Sequence, residues 1–220
     1  MTAVAMSRGR FITFEGGEGV GKSTNIQAAA EWLRTQGHKV VITREPGGTP
    51  IAEKIRNDLL KAHHDESMSD MAELLLVFAA RAQHIDAVIR PALERGEWVL
   101  CDRFTDSTIA YQGFGRGLSL DDIDTLKVLA QKEVSPDATI LLDAPLQVGM
   151  GRARARAEQL DEATDRFESE QLSFFERVRS GFLTLADQEA RIRLIDAARP
   201  LDQVQNDVLA LVQALAGETL

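Results

Sequence analysis

The chain has 220 residues, of which 44% are hydrophobic and 27% charged, a composition that excludes disordered, collagen-like and disulfide-rich proteins. This length predicts one domain with room for an insertion. A formal net charge of −9 makes the overall field repel nucleic acids and anionic membranes, so we expect neither a nucleic-acid polymer nor a membrane as partner.

Five short runs of β-branched or bulky apolar residues predict strands, and seven segments with apolar residues every three or four positions predict helices. Near-continuous apolar strands that alternate with helices are typical of an α/β fold, a five-stranded parallel sheet with helices on both faces, here in one domain over residues 1–220. In chain order we predict strand 10–15, helix 25–36, strand 39–43, helices 51–61 and 71–90, strand 98–102, helix 120–132, strand 138–143, helices 146–157 and 167–186, strand 191–196 and helix 204–216.

The segment GGEGVGKS, residues 16–23, follows the first predicted strand and opens the first predicted helix. It fits the pattern G-x-x-x-x-G-K-[ST] of a phosphate-binding loop, whose backbone N–H groups point at phosphate oxygens. In such a loop the lysine reaches the β- and γ-phosphates and the following hydroxyl binds Mg²⁺. We therefore predict that ATP binds Gly16, Gly17, Glu18, Gly19, Val20, Gly21, Lys22, Ser23 and Thr24.

The rest of the chain favours a small-molecule kinase over the other classes of protein that contain this loop, such as GTPase switches and transporter ATPases. No N-K-x-D motif for guanine and no LSGGQ-like transporter motif is present in the sequence. A switch that binds ATP without using it stays open as an alternative, and a measurement of ATP consumption distinguishes it from a kinase.

Arginines near strand ends form the predicted acceptor side, because ligands of open α/β sheets bind at the carboxyl ends of strands. Arg44 ends the second predicted strand, Arg103 follows the third, and Arg81 lies on the long helix three residues after Phe78. Asp102 is a suitable oxygen ligand for Mg²⁺, together with Ser23.

Residues 151–166 contain four arginines and four acidic residues but one large apolar side chain. Such a segment buries little, so we predict an exposed, mobile lid, with a charged surface helix as the alternative. The single cysteine, Cys101, permits no internal disulfide and fits the reducing cytoplasm. The N-terminus lacks a signal-peptide pattern, which also favours a cytoplasmic protein.

Six motifs together resemble the bacterial thymidylate kinase family: FEGGEGVGKST (14–24), TREPGGT (43–49), FAARAQH (78–84), LCDRF (100–104), STIAYQGFGRG (107–117) and DRFE (165–168). The resemblance implies a P-loop kinase that phosphorylates dTMP to dTDP with ATP and Mg²⁺. A kinase for another acceptor, such as dUMP or a deoxynucleoside, stays open as the alternative, and an acceptor panel distinguishes the two. It also implies a homodimer formed through the long helices.

The same resemblance implies the roles of individual residues. Arg44, Arg81 and Arg103 surround the phosphate and base of dTMP, and Arg56 is a further donor. Thymine stacks on an aromatic ring of the long helix, here Phe78, and bonds with Arg81 and Thr108. The remaining implied contacts are Tyr111, which excludes a 2′-hydroxyl, Gln112, which borders the same pocket, and Glu18, which faces the acceptor sugar or the metal.

In the bacterial members of this family the lid supplies a catalytic arginine. Arg152, Arg154 and Arg156 are the candidates, and a helix places Arg152 and Arg156 on one face and Arg154 on another. Two positions depart from many relatives. Phe78 stands three residues before Arg81, where relatives place an aromatic residue four before (here Val77), and Phe104 replaces a tyrosine or histidine.

Overall fold

The computed structural model describes residues 8–160 and 170–217, with side chains described only up to residue 155 in the first range. All five strands are parallel, in the spatial order β2-β3-β1-β4-β5. In chain order the elements are β1 (Phe11–Glu15), α1 (Lys22–Thr35), β2 (Val40–Arg44), α2 (Pro50–Lys54), π1 (Ile55–Leu60), α3 (Asp70–His84), π2 (Ile85–Ile89), α4 (Arg90–Glu94), β3 (Trp98–Asp102), α5 (Thr105–Thr108), π3 (Ile109–Gly115), α6 (Leu120–Gln131), β4 (Ala138–Asp143), α7 (Leu146–Leu160), α8 (Leu172–Gln188), β5 (Ile192–Asp196) and α9 (Leu201–Gly217).

Both faces of the sheet are covered, because successive side chains of a strand point to opposite faces. Ile12 and Phe14 of β1 pack in the core cluster that contains buried residues of α1 and α9. Phe11 points the other way, into a cluster with Ile85 and Ile89. This arrangement confirms the predicted α/β fold with helices on both faces of a five-stranded parallel sheet.

Each predicted strand and helix occurs, with ends shifted by a few residues. The sequence reading missed one helical segment, α5 and π3 over residues 105–115. Gly113 and Gly115 lower helical propensity there. Packing decides the outcome, since a Cβ atom on Gly115 would lie 2.6 Å from the Phe174 ring.

The predicted lid over residues 151–166 falls partly on α7, which is helical to Leu160. Residues 161–166 lie outside the described residues, as do residues 167–169 at the start of the predicted helix 167–186. Within the part of the chain that the structure describes, no helix is long and apolar enough to cross a membrane.

Candidate active site

A cavity of about 700 Å³ lies at the carboxyl ends of β2 and β3, beside the loop that follows β1. The cavity brings together predicted site residues from five separate segments of the chain. Parallel strands end at the same edge of the sheet, which explains why distant motifs meet here. The predicted residues that line it are Glu18, Gly19, Gly21, Lys22, Ser23, Thr24, Arg44, Arg56, Arg81, Asp102, Arg103, Thr108, Tyr111 and Gln112.

The loop between β1 and α1 has the curled backbone of a phosphate site. Gly19 and Gly21 have φ angles of 69° and 90°, which glycine adopts without steric cost. The Nζ atom of Lys22 donates to the carbonyl oxygens of Gly17 at 2.7 Å and Gly16 at 3.2 Å. Burial lowers the pKa of Lys22, and the nearby Arg103 guanidinium lowers it further. This ammonium therefore lies in a site that favours an added anion.

Arg103 connects the phosphate loop to the acceptor side of the cavity. Its φ angle is 69°, a strained value for a residue with a side chain. Its guanidinium donates to Glu18 Oε1 at 2.6 Å, to the Gly16 carbonyl oxygen at 3.0 Å and to Ser107 Oγ at 3.1 Å. These bonds fix both the strained backbone and the direction of the side chain.

Glu15 supports the segment that follows Arg103. The sequence analysis did not predict this role and assigned Glu15 only to the end of a strand. It is fully buried and accepts hydrogen bonds from the Phe104 backbone N–H at 2.7 Å and from Ser107 Oγ at 2.5 Å. Burial raises the pKa of this carboxyl group to about 7, and the neighbouring Asp106 raises it as well. Glu15 therefore connects the end of β1 to two residues that follow Arg103 in the chain, Phe104 and Ser107.

Arg81 is held by a buried polar network that the sequence reading also missed. Its Nε atom donates to Glu45 Oε2 at 2.7 Å, and its Nη2 atom donates to Thr108 Oγ1 at 2.8 Å. The other Glu45 oxygen lies 2.9 Å from His84 Nδ1, and His84 Nε2 lies 2.6 Å from Thr43 Oγ1. The Nη1 atom of Arg81 is buried without a hydrogen-bond partner, which makes it a donor available to a ligand in the cavity.

Two further arginines line the cavity near its mouth. Arg44 pairs with Glu53 at 2.9 Å and keeps about half of its side chain exposed. Arg56 donates to the Pro46 carbonyl oxygen at 2.8 Å. Burial lowers the pKa of Arg56, and the charge of Arg44 lowers it too. Two such mutually repelling cations favour a ligand with an anionic group.

The aromatic residues differ from the expectation. Val77 lines the cavity, whereas Phe78 packs with Leu74 and Ile123 in a core cluster. Phe78 instead supports Arg81, whose Cζ atom lies 4.8 Å from the ring centroid. Tyr111 lines the cavity as predicted, with the Cζ atom of Arg103 5.0 Å from its ring centroid. Burial raises the pKa of Tyr111, so its phenol stays neutral.

The residues predicted to hold Mg²⁺ have suitable chemistry. The Oδ1 atom of Asp102 is buried without a hydrogen-bond partner, and the Ser23 side chain is exposed in the same cavity. Among the described residues there is no cluster of three or more His, Cys, Asp or Glu side chains that could hold a metal ion alone. This donor set fits Mg²⁺, which keeps waters and takes few protein ligands when it binds with phosphates.

Arg152 and Arg154 of α7 have different surroundings. Arg152 donates to the Ala197 carbonyl oxygen at 2.7 Å. Arg154 lines a second cavity of about 240 Å³, which the predicted ATP-binding residues Gly16, Gly17 and Val20 also line. The side chain of Arg156 lies outside the described part of the chain.

Helix α7 packs directly against the phosphate loop at a pair of glycines. A Cβ atom on Gly19 would lie 1.9 Å from the Gly149 carbonyl oxygen, and one on Gly149 would lie 2.5 Å from the Glu18 carbonyl oxygen. No side chain fits at this contact. The helix that carries the lid arginines is therefore in backbone contact with the loop that is predicted to bind ATP.

Comparisons with known proteins agree with this geometry. The sequence model of the family described as thymidylate kinase matches residues 14–208. A thymidylate kinase of Teredinibacter turnerae is 54% identical over 207 residues, which are 94% of this chain and 98% of the relative. One of Pseudomonas fluorescens is 56% identical over 208 residues, 94% of this chain and 96% of the relative. The crystal structure of thymidylate kinase from Ehrlichia chaffeensis has 35% identity and a TM-score of 0.73, covering 94% of this chain and 99% of that chain. The chain belongs to the thymidylate kinase family.

Proposed function

We propose that the cavity carries out the reaction of its family, the transfer of the γ-phosphoryl group of ATP to dTMP, with the residue roles given below. One observation carries the assignment: the phosphate loop, three cavity-lining arginines and the unpartnered Arg81 Nη1 face one space. A kinase needs this juxtaposition, because donor and acceptor must meet in line.

We place the acceptor phosphate beside Arg44, Arg56 and Arg103. Planar guanidinium groups bind phosphate oxygens through paired N–H donors, and these three cations repel one another until an anion is present. The thymine ring extends from there toward Arg81 and Thr108. At this wall the apolar side chain of Val77 lines the cavity, so we assign the contact with the base to Val77 in place of Phe78.

The sugar then lies between base and phosphate, near Tyr111 and Glu18. The Tyr111 ring is fixed from behind by Phe174 and Phe182, at centroid distances of 6.0 and 6.3 Å. A rigid ring of this kind leaves little room for a 2′-hydroxyl, which favours a deoxyribose. Glu18 is held by Arg103 and is suited to accept a hydrogen bond from a sugar hydroxyl.

The ATP phosphates occupy the loop, where backbone N–H groups and Lys22 bind them. Ser23 and Asp102 would hold the Mg²⁺ that accompanies ATP, and this ion would neutralise phosphate charge. Lys22 and Arg103 stabilise the negative charge that develops on the transferred group. The acceptor phosphate is already an anion, so the protein supplies no nucleophile. Arg103 bridges loop and acceptor, and this position suits it to hold the two substrates in line.

The lid arginines complete the assignment on the ATP side. We assign Arg152, Arg154 and Arg156 to contacts with the adenine ring and the transferring phosphoryl group. Backbone contact between Gly149 and the phosphate loop supports this role, because Arg152 and Arg154 follow Gly149 on the same helix. Water is excluded when such a segment covers the site, which suppresses hydrolysis of ATP.

We further propose a homodimer through α3 and α6. Large apolar side chains remain exposed on both helices: Met71 and Leu75 are 41% and 49% exposed, and Val128 and Leu129 are 61% and 68% exposed. Apolar patches of this kind mark protein interfaces. Sedimentation of the chain and of Leu75→Glu tests the assignment, with a monomeric variant expected. Cytoplasm is the proposed compartment, where ATP is available and Cys101 stays reduced.

An acceptor panel with coupled ADP detection tests the reaction itself. We expect dTMP to be preferred over deoxynucleosides and other monophosphates. Lys22→Ala should lower kcat by at least about a hundredfold, the usual effect of removing one charge-stabilising donor. Preference for a nucleoside, or tight ATP binding without ATP consumption by any acceptor, would favour the alternatives.

A further inference from the structure

Glu73 is a buried carboxylate that the proposed reaction does not use. It lies in the first turn of α3, and its side chain is 1% exposed. Its Oε1 atom accepts a hydrogen bond from Gln112 Nε2 at 2.8 Å. Arg116 donates to both of its oxygens, from Nε at 3.3 Å and from Nη2 at 3.1 Å. A buried charge of this kind is costly unless it is paired and hydrogen-bonded, as Glu73 is here.

Glu73 lies next to the residues that we propose to contact the base. Glu73, Val77 and Arg81 follow one another at four-residue spacing, so they lie along one face of α3. On the neighbouring helical segment, Thr108 binds Arg81 and Gln112 binds Glu73, four residues apart. Arg81 and Gln112 therefore flank Val77, and all three line the cavity.

The partners of Glu73 determine which way the Gln112 amide points. An ionised carboxylate only accepts hydrogen bonds, so the amide must direct its nitrogen toward Glu73. Arg116 pairs with the Glu73 carboxylate through two charge-assisted bonds, and the Arg116 guanidinium lies 4.6 Å from the centroid of the Phe174 ring. With its nitrogen engaged in this way, Gln112 offers its oxygen as the hydrogen-bonding atom for a ligand.

We propose that Glu73 is a positioning residue that sets the choice of base, by fixing Gln112 as an acceptor beside the donor Arg81; this rests on the proposed function. An acceptor next to a donor matches the N3–H and C4 carbonyl of thymine or uracil. Cytosine presents the opposite pattern, an N3 acceptor and a 4-amino donor. Its binding would leave buried polar groups unpaired, which is the strongest form of discrimination in a recognition site.

The variant Glu73→Gln tests this inference because it permits the opposite arrangement. Arg116 holds Oε2 by the shorter of its two bonds, 3.1 Å from Nη2 against 3.3 Å from Nε to Oε1. We therefore expect the new amide to keep its oxygen opposite Nη2 and to turn its nitrogen toward Gln112, and Gln112 then turns its own nitrogen to the base. We expect kcat/KM to fall about tenfold for dTMP and dUMP alike, mainly through KM, and the ratio of dCMP to dTMP to rise at least about tenfold. The phosphoryl side is untouched, so kcat should change little.

Glu170→Gln is the matched control. Glu170 also pairs with Arg116, whereas the Gln112 amide donates to Glu73. It should leave the three acceptor ratios unchanged. If Glu73→Gln does not fold, the double variant Glu73→Gln/Arg116→Met removes both charges together, and the same relaxed ratio is expected from it.

The outcomes separate the two proposals. A wild-type protein that does not phosphorylate dTMP overturns the proposed function. A wild-type protein that does so, with a folded variant that loses activity equally for dTMP, dUMP and dCMP, overturns only the positioning role of Glu73. A selective gain for dCMP supports it, because general structural damage lowers all three rates together.

Discussion

Glu45→Gln removes the charge that balances the most deeply buried arginine of the site while keeping the shape of the side chain. Arg81 is 1% exposed and Glu45 is 3% exposed, and Arg81 Nε lies 2.7 Å from Glu45 Oε2. Glutamine still accepts a hydrogen bond at this position, so the measured difference reports mainly the lost charge.

The size of the effect follows from the burial of the pair. Two unit charges about 4 Å apart interact with about 4 kcal/mol at an effective dielectric constant of about 20. Removing one partner of a buried pair leaves an uncompensated charge and costs about 3–5 kcal/mol. For a chain of this size a loss of about 4 kcal/mol lowers Tm by roughly 10 °C.

Thermal and urea unfolding measure the stability loss, and initial rates against dTMP concentration measure its functional consequence. We expect KM for dTMP to rise about tenfold, since Arg81 no longer holds its Nη1 donor in the cavity. Asp124→Asn is the control: it removes an exposed pair with Lys127 on α6, which is worth at most about 1 kcal/mol. If Glu45→Gln matches this control in stability and in KM, the reasoning about Arg81 is wrong.

Three further predictions concern the phosphate loop and its supports. The folded-state pKa of Glu15 is about 7 against a reference of 4.5, so the folded protein keeps this proton while the unfolded chain loses it. Stability should therefore fall by about 3 kcal/mol more in the wild type than in Glu15→Gln between about pH 5 and pH 8, as measured by urea unfolding. Gly149→Ala places a methyl group against the Glu18 carbonyl oxygen, and we expect KM for ATP to rise; an unchanged KM would show that α7 and the loop move independently. Arg103→Lys keeps the charge but loses the planar fork, so kcat should fall by about a hundredfold, and calorimetry should show weaker binding of dTMP because Arg103 also contacts the acceptor phosphate.

The fold could be predicted because its signals are local. Apolar runs and helical spacing give each strand and helix, and the alternation of the two types gives the parallel sheet. The helical segment 105–115 was not predicted because Gly113 and Gly115 oppose a helix. These glycines are required by close packing, of Gly113 against Leu120 and of Gly115 against Phe174. A contact between distant segments is not visible in a local pattern.

The sequence predicted those site residues that belong to a recognisable motif and line the cavity. It was less successful for residues that support the cavity wall without lining it. Lys22, Arg81 and Arg103 stand in recognisable segments, and the cavity brings them together. Phe78 was assigned to the base because aromatic rings stack on bases, but one step along a helix turns a side chain by about 100°. That step points Phe78 into the core and Val77 into the cavity.

The acidic residues behind the cavity show why the net charge was a poor guide to this site. Glu15, Glu45 and Glu73 are buried, and each fixes a polar group that lines the cavity: the Arg103 loop, Arg81 and Gln112.

An enzyme that recognises an anion needs cationic and polar groups held in one orientation before the substrate arrives, since reorganisation during the reaction lowers the rate. A carboxylate meets this need well, because it accepts several hydrogen bonds and cannot donate one. Burial of such a group lowers stability, and burial accordingly raises the pKa of Glu15 to about 7. Neutralising any one of these three carboxylates should therefore alter the geometry of its own partner, and Glu15→Gln should do so while removing the destabilisation of the folded protein above about pH 7.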